Sequence, residues 1–507
     1  MTTRNIIIVG GGAAGWLTAC HLSSVLNGGR PDGPVRLTVV EAPEIGLIGV
    51  GEGTFPTIRS TLAGLGLAEP AFMRASSATF KQGVWFQDWA ELGQSYFHPF
   101  ALPFQGEVGD LSPYWLMERA AGDPRAYADA VTAQQRAVEA GRGPKRRSDP
   151  DFAGPMNYAY HFDAVRFAGF LRDTAVARGV RHLQDLVASV ERDEIGDIRA
   201  IHAREHGRIA GDFFIDCSGF RALLLQDVDA PWRPCDDALI NDRALAIQVP
   251  YPDPDTPIAP YTRATAHEAG WTWDIGLENR RGVGYVFSSR HSDEDRAETI
   301  LRQYVGREHD GVSARLLKFA TGYRERQWVG NCVAVGLAAG FFEPLESTGI
   351  MLIEVAARMI GEALPLPDKA AMAAAARNFN TVMAGRFARI VDFLKLHYCI
   401  SRRRDTAYWR EVTDPATIPE SLQDKLAQWR HRPVSRFDFI VDFETFLPPS
   451  YQFILYGMGF PTALSEDRAP HAHRSRAATA FAKVAEAGAE AVRRLPDQRA
   501  LVAQFHS

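Results

Sequence analysis

Short apolar runs closed by glycines alternate with stretches of helical spacing along the first two thirds of the chain. Asn5–Val9 (NIIIV) is short, β-branched and followed by glycines, which reads as a buried strand. Gly10, Gly12 and Gly15 come next in G-x-G-x-x-G register, and Trp16 to Ser24 continues as a helix. VRLTVVEA (35–42) is a second strand, ending near Glu41. HFDAVRFAGFLRDTAVARGV (161–180) has helical spacing, and LQDLVASVERDEIGDIRAIHA (183–203) reads as strand, turn, strand. GRIAGDFFIDCSGFRALLL (207–225) carries an apolar strand up to Asp216-Cys217-Ser218-Gly219. WVGNCVAVGLAAGFFEPLESTGI (328–350) is another strand that runs into glycines and then feeds the helical stretch MLIEVAARMIGEAL. Beyond Glu346 the chain reads as largely helical. The pattern predicts an α/β (α+β) fold, and three glycine-terminated strands so far apart point to one cofactor wrapped by discontinuous pieces.

Composition narrows the class. With 507 residues and 46% hydrophobic content the chain can bury a large core and should hold more than one unit. A net charge of −5 with intermixed signs excludes an electrostatic nucleic-acid binder. Five scattered cysteines show no metal or disulfide spacing, no apolar segment is long enough to span a membrane, and no signal peptide is visible, so a cytoplasmic location and no metal are expected. AGRGPKRRSDPDF (140–152) is expected to be a mobile, basic surface loop. The tail from about Ser465 is expected to be a peripheral solvated helix.

The glycine loop carries the first chemistry. Its glycines allow a tight turn, close approach of a pyrophosphate and helix–strand packing, while free N–H groups at the helix start receive the anion. Glu41 stands where an acid takes the ribose hydroxyls of an adenine dinucleotide. A single contiguous unit is commoner for NAD alone, so the discontinuous pieces favour FAD. No second nucleotide fingerprint is visible, so a separate NAD(P)H-dependent reductase is expected to deliver reduced FAD.

Three further sites stand out. Lys81 is one of seven lysines against 49 arginines, and Phe80, Trp85, Phe86 and Trp89 surround it in sequence. Lysine can lose its proton and react where arginine cannot, and an aromatic wall would favour the neutral amine; the alternative is an ordinary surface lysine. Trp271 and Trp273 in WTWDIG (271–276) share one face of a strand, as barrier or as core. Ser347, Thr348 and Gly349 precede an apolar helix, so their N–H groups are unpaired donors at its positive end, with Glu346 just before them as catalytic acid or helix cap. Glu343, at the same turn, is expected to be structural. The segment 437–460 is rich in aromatics, and Phe443, Phe446, Tyr451 and Phe453 either line a ring pocket or belong to the core.

In this order the motifs GGGAAGW, GVGEGTFPTI (49–58), ATFKQGVWFQDW (78–89), WTWDIG and FFEPLESTGI (341–350) resemble a flavin-dependent halogenase of the tryptophan-halogenase family, from Asn5 to about Pro461. Gly276 stands where the family has proline, and Gly53 where alanine is commoner. The resemblance implies that reduced FAD, O2 and halide (chloride or bromide) give hypohalous acid, which is relayed past Trp271, Trp273 and Ile275. Lys81 then captures it, and Glu346 assists electrophilic halogenation of an electron-rich aromatic, of indole or tryptophan type. It also implies a halide held by Thr348 and Gly349. The cofactor contacts expected are Gly10, Gly12, Ala13, Ala14, Gly15, Glu41, Gly51, Glu52, Gly336 and Leu337. No counterpart of the longer aromatic lid of the tryptophan-specific members is evident before LPPSY, which suggests a more open site.

The expected organisation is an FAD-binding, Rossmann-type module of the flavin monooxygenase kind within 1–365 (segments of about 1–70, 153–230 and 325–365). Substrate-module segments 71–152 and 231–324 are inserted in it, and 366–507 is a mainly helical substrate-binding portion. Neither a membrane nor a nucleic-acid partner is expected, and a homodimer is compatible. The alternatives are a single-component flavin monooxygenase on the same fold and a non-catalytic flavin-binding protein.

Overall fold

A computed structural model describes residues 4–44, 51–226, 228–306, 309, 311–464 and 473–507. The beginning of the GVGEGTFPTI stretch, at 49–50, and the start of the tail at Ser465 lie outside the described residues. The chain divides into two compact units, Met1–Ser77 with Phe162–Cys235 and Ala320–Phe387, and Ala78–His161 with Asp236–Phe319 and Ala388–Ser507. Each unit is built from segments distant in sequence.

The first unit is built on a six-stranded sheet in the order Trp328–Val329, Cys332–Ala334, Phe213–Asp216, Asn5–Val9, Arg36–Glu41, Arg181–Gln184. All neighbours are parallel except the Trp328–Val329 hairpin strand. Its central strands are apolar on both faces because both faces are covered. On one side, the helix Ala13–Asn27 packs between Ala164–Ala177 and Thr348–Ala363. On the other, Ile7, Val9, Phe214 and Leu224 form a core with Ile198 and Ile201 of the antiparallel strands Val187–Arg192, Ile198–Ala203 and Gly207–Ala210. Register aligns Val9 with both Val40 and Asp216, so the loops after these strands leave the same sheet edge, where α/β proteins bind ligands.

Two boundaries differ from the sequence pattern. The glycine-loop helix begins at Ala13 and ends at Gly28, which takes a left-handed cap. The helix expected from His161 begins only at Ala164, since residues 161–163 finish the strand Ala159–Asp163. The Asp163 carboxylate accepts from the N–H groups of Val165 and Arg166, a side-chain cap that stops the helix extending backwards.

The second unit contains a seven-stranded sheet in the order Arg315–Lys318, Arg243–Pro250, Arg280–Phe287, Gly270–Gly276, Thr262–Ala266, Gly83–Gln87, Ser95–Pro99. Every pairing is antiparallel except that of Thr262–Ala266 with Gly83–Gln87. The helix Glu294–Val305 covers one end through Ala297, Ile300 and Leu301. The segment 140–152 is anchored rather than solvated along its length: Lys145 is buried, donates to the Pro150 carbonyl and lies over the rings of Tyr158 and Phe505. The tail is two helices, Arg474–Arg494 and Gln498–His506, each with a buried apolar stripe, so the second is part of the packed unit and not a solvated appendage. Among the described residues no helix is long and apolar enough to cross a membrane, and no two of the five cysteines form a disulfide.

Candidate active site

In the first unit the glycine loop leaves no room for side chains. Gly10 has a φ of 118°, and a Cβ there would lie 2.1 Å from the Cys217 carbonyl oxygen. A Cβ on Gly15 would lie 1.9 Å from the Gly10 carbonyl oxygen, and one on Gly336 (φ 70°) 2.8 Å from the Ala14 Cβ. Gly12 is the N-cap of the helix Ala13–Asn27, which has neither a side-chain cap nor an acid in its first turn, so its N–H groups and positive end are left for an anion. These features fit the pyrophosphate of a dinucleotide.

Glu41 reaches over this loop, since a Cβ on Gly11 would lie 2.1 Å from its Cδ. Gly11 and His182 are additions that the sequence pattern did not disclose. The His182 ring nitrogen Nε2 lies 2.9 Å from Glu41 Oε2, and the ring meets Trp16 edge-on with centroids 4.9 Å apart. Thus Gly10, Gly15, Ala14, Glu41 and Gly336 come together around the start of one helix. Gly51 and Glu52 lie in the short strand Gly51–Gly53, and Leu337 is half-buried in the turn Gly336–Ala338.

The turn before the helix Thr348–Ala363 is strained. Glu346 (φ 64°, ψ 6°) and Ser347 (φ 59°, ψ 45°) are both left-handed, a conformation costing non-glycine residues roughly 1–3 kcal/mol each. Glu346 is 3% exposed, and Glu343 is also buried. Ser347 is the N-cap but makes no side-chain cap hydrogen bond, and the first turn holds no acid. Glu346 stands one residue before the N-cap position. Thr348 and Gly349 are the first two helical residues, and no heavy atom lies within 4 Å of a Cβ built on Gly349. A helix start with no acid in its first turn and no cap hydrogen bond from the Ser347 side chain suits a small anion.

Further along the same helix, Glu354 is a titratable group missed by the sequence reading. It is 8% exposed and accepts a 2.9 Å hydrogen bond from the Thr57 hydroxyl. Burial pushes its carboxyl up to about 7, against the hydrogen bonds from Thr61 and Thr57 and the charge of Arg358.

In the second unit, Lys81 is 0% exposed at the end of the strand Thr79–Lys81, which pairs antiparallel with residues 159–161. The Phe100 ring lies over its Nζ, at 5.2 Å from the centroid. Phe80 does not belong to the expected aromatic wall. Phe80 points to the opposite face of the strand, onto Tyr158, Tyr160 and Phe505; Phe86 stacks on Tyr96, and Trp85 on Phe97. His161 is fully buried beside Thr262, with Nε2 2.8 Å from its hydroxyl; burial first and the Lys81 charge second hold this imidazole well below its ordinary range.

Trp271 and Trp273 are buried on one face of Gly270–Gly276, edge to face at 6.4 Å, and Trp271 also meets Trp89 at 6.0 Å. Gly284 on the neighbouring strand makes the space: a Cβ there would lie 2.1 Å from Trp273 Cη2. Ile275 is buried on the same strand. Gly276, whose carbonyl accepts a 2.5 Å bond from the Thr79 hydroxyl, sits where a Cβ would meet Ile258 Cγ2 at 2.9 Å. The aromatic segment splits. Phe446 and Tyr451 close on Phe393, at 3.7 and 4.8 Å, whereas Phe453 turns toward Tyr127 and His98. Phe443 is half-buried in the turn Val441–Phe443.

A parallel sheet that ends in a glycine cradle, in a chain whose second unit holds a buried lysine and paired indoles, is that of a dinucleotide-dependent redox enzyme of the flavoprotein kind. The chain belongs to the tryptophan halogenase family, whose model it matches over residues 5–473. It is 37% identical to the tryptophan 6-halogenase SttH of Streptomyces toxytricini, with 90% of each chain covered. It is 34% identical to the tryptophan 7-halogenase RebH of Lentzea aerocolonigenes, covering 84% of this chain and 81% of that one. The crystal structure of a tryptophan halogenase from Shewanella frigidimarina superposes with a TM-score of 0.95 at 38% identity, covering 100% of this chain and 98% of the other. The chemistry is therefore flavin-dependent halogenation with reduced FAD and a halide as co-substrate, and the monooxygenase alternative gives way to it.

Proposed function

We propose that the chain halogenates an electron-rich aromatic of the indole or tryptophan class, with Lys81 and Glu346 as its catalytic groups. The first unit is the flavin module and the second the substrate module. Gly10, Gly12, Ala13, Ala14, Gly15 and Glu41 hold the adenosine diphosphate part of FAD, with Gly51, Glu52, Gly336 and Leu337 completing the cofactor contacts. Bound reduced FAD supplies the two electrons by which O2 converts chloride or bromide into hypohalous acid.

The protein's own groups do the rest. Thr348 and Gly349 N–H groups hold the halide at the uncapped helix start. Trp271, Trp273 and Ile275 keep the aromatic away from the cofactor. The Lys81 amine captures the oxidant and presents its halogen. The Glu346 carboxylate stabilises the cationic ring and takes the departing proton. Phe446, Tyr451, Phe443 and Phe453 supply the aromatic walls for the substrate. A free tryptophan or an indole-containing compound fits the relatives, both of which act on tryptophan according to their names. A separate NAD(P)H-dependent reductase supplies reduced FAD, and a cytoplasmic location suits five cysteines that form no disulfide.

One observation carries this reading: Glu346 and Ser347 are held in left-handed strain before a helix whose N-cap residue makes no side-chain cap hydrogen bond, which a purely structural turn does not need. The test is halogenation of tryptophan and indole by the wild type, Lys81→Ala and Glu346→Gln, with oxidation of reduced FAD followed in parallel. Both variants should oxidise reduced FAD at the wild-type rate while losing product by at least about a hundredfold. Product formation by both variants within a fewfold of wild type would refute the assignment.

A further inference from the structure

The family match ends at residue 473, yet the helix Gln498–His506 beyond it is fastened to the strand of Lys81. Gln498 is 1% exposed, and its Nε2 donates a 2.8 Å hydrogen bond to the Phe80 carbonyl. His506 donates through Nε2 to the Ala78 carbonyl at 2.9 Å. Between these two anchors Phe505 meets Phe80 edge-on at 5.3 Å. The strand they hold is only three residues long, and three residues pair with it from one side. A strand this short has little pairing of its own to fix its direction.

The helix is itself fixed at several points. The Gln498 N–H donates to the Gly141 carbonyl and the Gly143 N–H to the Pro496 carbonyl, both at 2.9 Å. Arg499 donates to the carbonyls of Thr256 (2.8 Å) and Glu278 (2.7 Å) and lies over the Tyr251 ring, whose hydroxyl donates to the Leu277 carbonyl. Those contacts reach the end of the strand that carries Trp271 and Trp273. On that same strand end the Thr79 hydroxyl, two residues before Lys81, is bonded to the Gly276 carbonyl. One helix therefore ties down both the backbone that aims the lysine and the strand end of the indole pair.

We infer that Gln498–His506 is a positioning element for halogen transfer, in which Gln498 and His506, by holding the Phe80 and Ala78 carbonyls, set the direction of the Lys81 amine. This rests on the reading of Lys81 as the group that captures the oxidant. A displacement of about 1 Å in a catalytic group can cost on the order of a hundredfold in rate, so loosening the strand should act on coupling and not on cofactor turnover.

The experiment compares Gln498→Ala, His506→Ala, the double variant and His506→Gln, which keeps a side-chain donor, with Lys81→Ala run in parallel. Each is given reduced FAD, O2, bromide and tryptophan; kcat, KM for the aromatic, product per reduced FAD oxidised, and oxidised bromide caught by an added trap are measured. The expected result for the double variant is a fall of about tenfold or more in product per FAD, more trapped oxidant, and KM and FAD oxidation within twofold of wild type. His506→Gln should stay near wild type. Wild-type coupling in the double variant while Lys81→Ala is inactive would overturn the positioning role alone. A parallel loss of FAD oxidation and product would show a merely structural helix and overturn it too. Full activity of Lys81→Ala would overturn the lysine reading and the inference with it. If Gln498→Ala fails to fold, the His506→Ala and His506→Gln pair decides on the same readouts.

Discussion

Replacing Glu354 by glutamine should make the protein more stable, and increasingly so as pH rises. The carboxyl sits on the buried face of the helix Thr348–Ala363, where burial raises it from 4.5 to about 7 despite hydrogen bonds from Thr61 and Thr57 and the nearby Arg358 charge. The folded state therefore binds this proton more tightly than the unfolded chain does. The resulting stabilisation is complete below about pH 4.5 and is lost as pH climbs through about 7. At ~1.4 kcal/mol per pH unit, the cost of ionising the folded protein is roughly 3 kcal/mol by pH 8. Glutamine has no such proton and keeps an acceptor for the Thr57 hydroxyl. Urea unfolding of both proteins at pH 5.5 and pH 8, with hydrogen exchange of the 348–363 amides as local readout, should show the advantage of the variant growing by about 2 kcal/mol over this interval. A pH-independent difference would refute the reasoning, because it would mean that the carboxyl is equally solvated in the folded and unfolded states.

Other expectations follow from single contacts. Gly10→Ala puts a methyl into the Cys217 carbonyl at a φ of 118°; it should cost about 2 kcal/mol or more and abolish FAD binding in a fluorescence titration. Gly284→Ala drives a methyl into the Trp273 ring and should lower the melting temperature while reducing halogenated product per reduced FAD, seen by calorimetry and chromatography. Lys81→Arg retains the charge but cannot present a neutral amine, so halogenation should fall at least about a hundredfold with FAD oxidation unchanged, measured in single-turnover assays.

The parts of the fold governed by local pattern were legible. Asn5–Val9, Arg36–Glu41, Phe213–Asp216 and Cys332–Ala334 announce themselves as β-branched or apolar runs ending at a turn, and they share one sheet. Helix starts were less so. His161 and Phe162 continue an apolar helical rhythm but belong to a strand, and only the Asp163 cap marks the change. At the site, glycine spacing disclosed the loop, whereas Gly11 emerged only when Glu41 folded over it. His182 touches Glu41 across two parallel strands, and Phe100 meets Lys81 because the hairpin of Gly83–Gln87 with Ser95–Pro99 brings the chain back beside Gln82; neither pairing has a fixed sequence spacing. Phe80 misled for a simple reason: along a strand, adjacent residues face opposite sides, so it cannot shield the amine that follows it. The grip of Gln498 on the Phe80 carbonyl spans more than four hundred positions and leaves no sequence trace.

The most direct test of the account is the mass of the product formed from tryptophan when the wild-type protein receives FAD, a flavin reductase with NADH, O2 and bromide. Halogenation predicts a product that is heavier by one bromine in place of one hydrogen, with the paired bromine isotope pattern, and no such product when bromide is withheld or Lys81 is replaced by alanine. An oxygenated, bromine-free product formed equally well with and without halide would contradict the account.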